Sequence, residues 1–389
     1  MEAVGIIAEY NPFHRGHAYQ IEQARQKSGA EAVIVAMSGP VTQRGQFARH
    51  DKFVRARMAL LQGADLVLEL PVRFACAAAP DFARGGVSLL ASLGVVGALS
   101  FGCERQALPF LSAWRAQDTA GYEHALRRAL GAGQSYAAAA SQALGEALSP
   151  EAARALAAPN AILALEYLRA LPDGMAAIPV ARVGEGYDSL TLSPLASAAG
   201  IRGALERGDL SAALAAVPHP ELLMAEEAAG RVHEPEALTQ ALLYRLRTSS
   251  PEALCEILDM GEGLERRFLA AARRETTRDG LLLAVKTRRY AYTRLSRAAT
   301  HTLLGLTRRF ACAHPTPEYA RILGFRRSAG PLLHEIRRRS AIPLIAKAAD
   351  YDSPLFALDT LTEDLWALGL RDPASRASGR DFRRSLVVL

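Results

Sequence analysis

Apolar residues in the first half of the chain fall into short unbroken runs, separated by polar loops and by longer stretches with helical spacing. Val4-Gly5-Ile6-Ile7-Ala8 is the first run, and it stops at Asn11-Pro12, because proline donates no ladder hydrogen bond and biases its predecessor away from helix. From Arg15 the chain can run helically through Ile21, Ala24 and Arg25. Ala32-Val33-Ile34-Val35-Ala36-Met37 shows no alternation, as expected of a parallel strand covered on both faces. A helix is predicted from Asp51 to Gln62, with Phe53, Ala56, Leu60 and Leu61 on its apolar stripe and Gly63 near its end. A strand from Asp65 to Pro71, a helix from Pro80 to Leu93 and a strand from Val95 to Phe101 follow. This alternation predicts an α/β, Rossmann-like domain built on a doubly wound parallel sheet.

Between Gln106 and Ala170 the pattern turns helical and alanine-rich, and Pro159-Asn160 opens a further helix. Ala176 to Ala181 reads as a last sheet strand. From about Leu210 the chain reads as mostly helical, and after Arg371 as a loose basic tail. The 389 residues thus divide into an α/β catalytic domain over 1–209 and a helical region over 210–389.

The predicted strand ends carry the chemistry. His14 and His17 share a face of the first helical turn, where backbone N–H groups are free and the helix dipole is positive, a setting suited to a phosphate chain. Gly16 between them leaves room for close approach to the backbone. The loop after the second strand presents Ser38, Gln43 and Arg44 as candidate substrate contacts. Arg182 stands at another strand end, and Ser193, Ser197 and Arg202 flank a helix entry where they could meet phosphate or serve as ordinary caps and surface charge.

Composition extends this picture. No apolar run is long enough to cross a bilayer, and Met1-Glu2-Ala3 lacks a basic leader, so a cytoplasmic protein with no membrane association is expected. Cys76, Cys103, Cys255 and Cys312 form no Cys-x-x-Cys pair, which predicts reduced thiols and no metal site built from protein side chains. The net charge of +6 and pI near 9.3 favour a polyanionic partner. Arg266-Arg267, Arg273-Arg274, Lys286, Arg288-Arg289, Arg294 and Arg337-Arg338-Arg339 recur through the second half, with Tyr290, Tyr292 and Phe325 interleaved. Guanidinium groups and exposed aromatics at such density read as an RNA-binding face.

Together these motifs resemble the bacterial tRNA(Met) cytidine acetate ligases, a family within the nucleotidyltransferases that carry a His-x-Gly-His signature. The resemblance runs from Gly5 through His17, over Met37-Ser38-Gly39 with Gln43-Arg44-Gly45, Gly63 to Pro71, Phe101-Gly102-Cys103-Glu104, Pro159-Asn160, Arg182 with Gly186-Tyr187, and Lys286 to Tyr290. Pro40, Cys103, Ala161 and Asp188 depart from the residues usual in that family, and Ser197 to Arg202 is a weakened form of a second Ser-Arg motif.

The resemblance implies ATP binding by Ile7, Ala8, Glu9, Tyr10, Asn11, Pro12, Phe13, His14, Arg15, Gly16, His17, Ala18, Tyr19 and Gln20, with Gly102, Asn160, Arg182 and Val183. It implies that His14 and His17 are catalytic and that Mg²⁺ accompanies the ATP phosphates. It implies acetate and elongator tRNA(Met) as the other substrates, with acetate or RNA near Ser38, Gln43 and Arg44 and tRNA on Lys286, Arg288, Arg289 and Arg294. No stable protein partner is expected, and self-association is left open. Two other readings fit the motifs less fully: adenylylation of a small cofactor precursor, and a non-catalytic RNA-binding protein on a nucleotide-binding fold.

Overall fold

The computed structural model describes residues 2–115, 120–134, 136–182, 196–287 and 289–389. Its first half alternates β1 (Ala3–Ala8), α1 (Arg15–Ser28), β2 (Ala32–Ser38), α2 (Lys52–Leu61), β3 (Leu66–Leu70), α3 (Ala79–Ser92), β4 (Val96–Cys103), α4 (Pro159–Ala170) and β5 (Ala176–Ala181). The strands lie in the order β5-β4-β1-β2-β3 and all pair in parallel. β1 and β2 are in register with Ile6 opposite Val35.

Because successive side chains of a strand point to opposite faces, each strand feeds two cores. Ala3 and Ile7 of β1, Ile34 and Ala36 of β2, and Leu66, Leu68 and Leu70 of β3 pack with Phe82, Val87 and Leu90 of α3. Val4, Ile6, Val33, Val35, Met37 and Val67 pack on the other face with Ile21 of α1 and Phe53, Ala56 and Leu60 of α2. Burial on both faces explains why β2 is an unbroken apolar run.

After β5 comes α5 (Ala198–Glu206), and the helical reading from Leu210 onward holds for α6 (Tyr292–Leu304) and α7 (Pro354–Leu368), among others, but it missed three strands. β6 (Ala320–Phe325) pairs antiparallel with β3 and extends the sheet, with β7 (Leu344–Ile345) and β8 (Val387–Val388) beside it. The sheet of the first half is therefore completed by chain from the second. The segment after Arg371 is also anchored: β8 lies in the sheet, and Asp381 is buried, 2.9 Å from Lys52 and 2.7 Å from Arg321. Among the described residues, no helix is long and apolar enough to cross a membrane, and all four cysteines are free thiols.

Candidate active site

Two turns hang from the C-terminal edges of β1 and β2, and one buried side chain ties them together. Arg55 of α2 is fully buried. It donates to the carbonyl oxygens of Glu9 at 2.7 Å, Ser38 at 2.9 Å, Gly39 at 2.6 Å and His50 at 3.0 Å. Burial holds its pKa down to about 10, so the guanidinium stays protonated at neutral pH. Beyond Glu9, Tyr10 adopts a left-handed backbone with φ 50° and the Asn11–Pro12 peptide is cis. The Asn11 side chain accepts from the Arg49 N–H at 3.0 Å, and its carbonyl accepts from Arg202 at 2.5 Å.

His14 is the N-cap of α1. Its Nδ1 accepts from the Gly16 N–H at 3.1 Å, and the His14 N–H donates to Nδ1 of His17 at 3.2 Å, a reciprocal cap built from two imidazoles. The rings stack at 3.7 Å between centroids. Burial, then Arg182 and Arg202, hold the His14 pKa down to about 3. Burial, His14 and Arg182 push His17 well below its ordinary value. Both rings are therefore neutral at pH 7. With each Nδ1 already accepting a backbone proton, the remaining N–H must sit on Nε2. A Cβ on Gly16 would lie 2.9 Å from His14 Cε1, so this glycine makes room for the His14 ring itself.

These groups open into a solvent-continuous cleft whose space, counted out into open solvent, is about 1150 Å³. Of the residues singled out in the sequence, Ile7, Ala8, Glu9, Tyr10, Asn11, His14, His17, Gln20, Gln43, Arg44, Gly102, Asn160 and Arg182 line it. Gly16 and Tyr19 line a smaller recess beside the start of α1. Ser197 and Arg202 also face the cleft, although Ser197 caps α5 through Gly200 at 3.1 Å. Pro12, Phe13 and Ala18 line neither space. Phe13 is core, Ala18 packs against that core, and Arg15 is exposed, donating to the Ala215 carbonyl at 3.3 Å. Ser38 is fully buried below the cleft. Val183, Ser193 and Arg288 lie outside the described residues.

The loop after β2 is braced by its own candidates. The Gln43 N–H donates to Glu9 Oε1 at 2.6 Å, while its side-chain amide donates to the Ala77 carbonyl at 3.0 Å. Asn160, in the first turn of α4, donates to Glu104 Oε1 at 2.7 Å. Gln43, Arg44, Asn160 and Leu163 line a second space as well, an open groove of about 1740 Å³ that reaches Arg289 and Arg294. Lys286 and Arg289 are exposed. Arg289 and Arg294 contact Glu262 at 3.0 and 3.4 Å. Tyr290 is not the exposed platform the sequence suggested: it is buried, with its hydroxyl on the Glu262 carbonyl at 2.7 Å. Arg297 and Arg321 are likewise buried in ion pairs with Asp259 and with Glu69 and Asp381.

Sequence reasoning missed the support beneath the cleft. Lys52 is fully buried, 2.8 Å from Glu69 and 3.6 Å from Glu363. Arg380 joins Asp51 at 2.6 Å to Glu363 at 3.2 Å. Lys52 and Glu69 sit at the start of a predicted helix and the end of a predicted strand, and charged residues in such positions were the available signal.

The geometry can be set beside known proteins. A family model described as HIGH Nucleotidyl Transferase matches residues 1–381. A tRNA(Met) cytidine acetate ligase of Syntrophomonas wolfei is 35% identical over 417 residues, covering 100% of this chain and 99% of the relative. The protein of the same name from Bacillus subtilis is 34% identical over 391 residues, covering 96% and 94%. Among solved structures, Thermotoga maritima TmcAL bound with alpha-thio ATP matches over 100% of both chains with a TM-score of 0.91 at 29% identity. The motif, the fold and the full-length similarity agree: this chain belongs to the tRNA(Met) cytidine acetate ligase family of HIGH nucleotidyltransferases.

Proposed function

We propose that the chain is an ATP-dependent ligase that activates acetate as acetyl-adenylate and transfers the acetyl group to N4 of the wobble cytidine of elongator tRNA(Met), forming N4-acetylcytidine. The observation that carries this reading is the pair of neutral imidazoles at the N-terminus of α1, in a chain whose full-length relatives bear that enzyme's name.

In the first step, acetate oxygen attacks the α-phosphorus of ATP and pyrophosphate leaves. Charge builds on the phosphate oxygens as this happens, so donors fixed in advance lower the barrier. His14 and His17 fit that task as uncharged Nε2–H donors at neutral pH, and Arg182 and Arg202 add positive charge beside them. Mg²⁺ on the ATP phosphates would supply further charge neutralisation there. The recess beside Gly16, Tyr19 and Gly102 would take the nucleoside.

In the second step, the cytidine N4 attacks the acetyl carbonyl and AMP departs. We assign residues 1–209 to adenylation and 210–389 to gripping the tRNA, in the cytoplasm. Lys286, Arg288, Arg289 and Arg294 meet the RNA backbone, and the groove past Gln43 and Arg44 delivers the splayed base. The test is exchange of labelled pyrophosphate into ATP without tRNA. Exchange that depends on acetate supports the reading, and exchange indifferent to acetate overturns it.

A further inference from the structure

The acetyl transfer has an unassigned proton. When N4 of the base bonds to the acetyl carbon, the carbonyl electron pair moves to oxygen and the nitrogen becomes cationic. One N–H proton must leave before the C–O bond to AMP breaks and the carbonyl re-forms. An acceptor is needed where the acetyl-adenylate meets the incoming base, at the junction of the nucleotide cleft with the groove from Arg289 and Arg294. Gln43 and Arg44 line both spaces and so mark that junction.

Glu9 stands there. Among the described residues it is the one carboxylate lining the nucleotide cleft. Its Oε1 accepts from the Gln43 N–H at 2.6 Å, and its own carbonyl is pinned by Arg55 at 2.7 Å, so backbone and side chain are both held. No donor among the described residues bonds Oε2. The other titratable groups around the cleft suit the task poorly. The two histidines already carry Nε2–H and resist a second proton. Burial pushes the Tyr10 and Tyr167 hydroxyls upward, so they stay protonated. Arg44, Arg182 and Arg202 are cations.

We propose that Glu9 is the general base of the acetyl transfer, taking the N4 proton through Oε2 and releasing it to solvent after AMP departs. This rests on the ligase reading above.

Glu9→Gln tests it, because an amide oxygen can still accept from the Gln43 N–H but cannot take a proton. Acetyl-adenylate is formed on the enzyme from ATP and acetate, tRNA is added, and single-turnover acetyl transfer is followed beside pyrophosphate exchange and tRNA affinity. Transfer from acetyl-adenylate already formed should fall about 100-fold, the scale of general-base catalysis, well beyond any change in exchange that follows from Glu9 lining the nucleotide cleft. Transfer near the wild-type rate overturns the assignment. So does a parallel loss of exchange, which would give Glu9 a part in adenylation or folding. Absence of acetate-dependent exchange in the wild-type protein would instead overturn the ligase reading and this proposal with it.

Discussion

Arg55→Met tests whether the cleft depends on one buried guanidinium. Methionine fills much of the same volume but donates nothing. The substitution removes four hydrogen bonds and leaves the buried carbonyls of Glu9, Ser38, Gly39 and His50 without that donor. At about 1 kcal/mol net per bond the loss is about 4 kcal/mol. Relief of the desolvated cation returns part of it, leaving about 3 kcal/mol. With a urea slope of roughly 3 kcal/mol per molar for a chain of this size, the unfolding midpoint should drop by about 1 M. Two of the four carbonyls belong to the loop and strand end of β2 and one to the loop after β1, so the KM for ATP should rise as well. Arg55→Lys keeps the charge, but its single ammonium cannot span the same four oxygens and should recover less than half the lost stability. A midpoint within about 0.2 M of wild type for Arg55→Met would mean that the four carbonyls do not depend on this guanidinium.

His17→Ala removes one phosphate donor and should lower acetate-dependent pyrophosphate exchange by about 100-fold or more, with tRNA affinity unchanged in a filter-binding titration. Gly16→Ala should lower activity without a gain in stability. Its Cβ would meet His14 Cε1 at 2.9 Å and displace the ring, so exchange should fall, and loss of the cap that His14 makes on the Gly16 N–H offsets the gain of about 0.5–1 kcal/mol that replacing a helical glycine would otherwise give. His233 is held at about 4, below its ordinary 6.5, chiefly by burial. Because the unfolded chain takes up that proton first, stability should fall as pH drops from 6.5 toward 4, by about 1.4 kcal/mol per unit for this group. In His233→Gln the pH slope of unfolding over that window should be shallower by one proton.

The five parallel strands and the loops that carry the cleft were legible because both depend on local pattern. A strand buried on both faces must be apolar throughout, and ligand-binding groups in such sheets gather at strand ends. β6 was not legible. Ala320-Arg321-Ile322-Leu323-Gly324-Phe325 is short and contains an arginine, and its pairing with β3 is set by contacts hundreds of residues apart. Arg321 and Asp381 read as surface charge in isolation, and their burial against Lys52 and Glu69 appears only when four distant segments meet. The arginine-rich half misled for the same reason. Charge density counts guanidinium groups, but not the carboxylates that fold against them, as Asp259 does on Arg297. Gly16 illustrates a smaller shift: the space it leaves was legible, but the ring that occupies it is His14.

If this chain joins acetate to a tRNA cytidine at the expense of ATP, the acetyl carbon must end up in one nucleoside of the tRNA. The direct measurement is incubation of the purified protein with ATP, isotopically labelled acetate and bacterial tRNA, followed by nuclease digestion and mass identification of the labelled nucleoside. Label should appear in N4-acetylcytidine, dependent on ATP and confined to elongator tRNA(Met). Label in another nucleoside, or none in tRNA while acetate-independent ATP turnover continues, would contradict it.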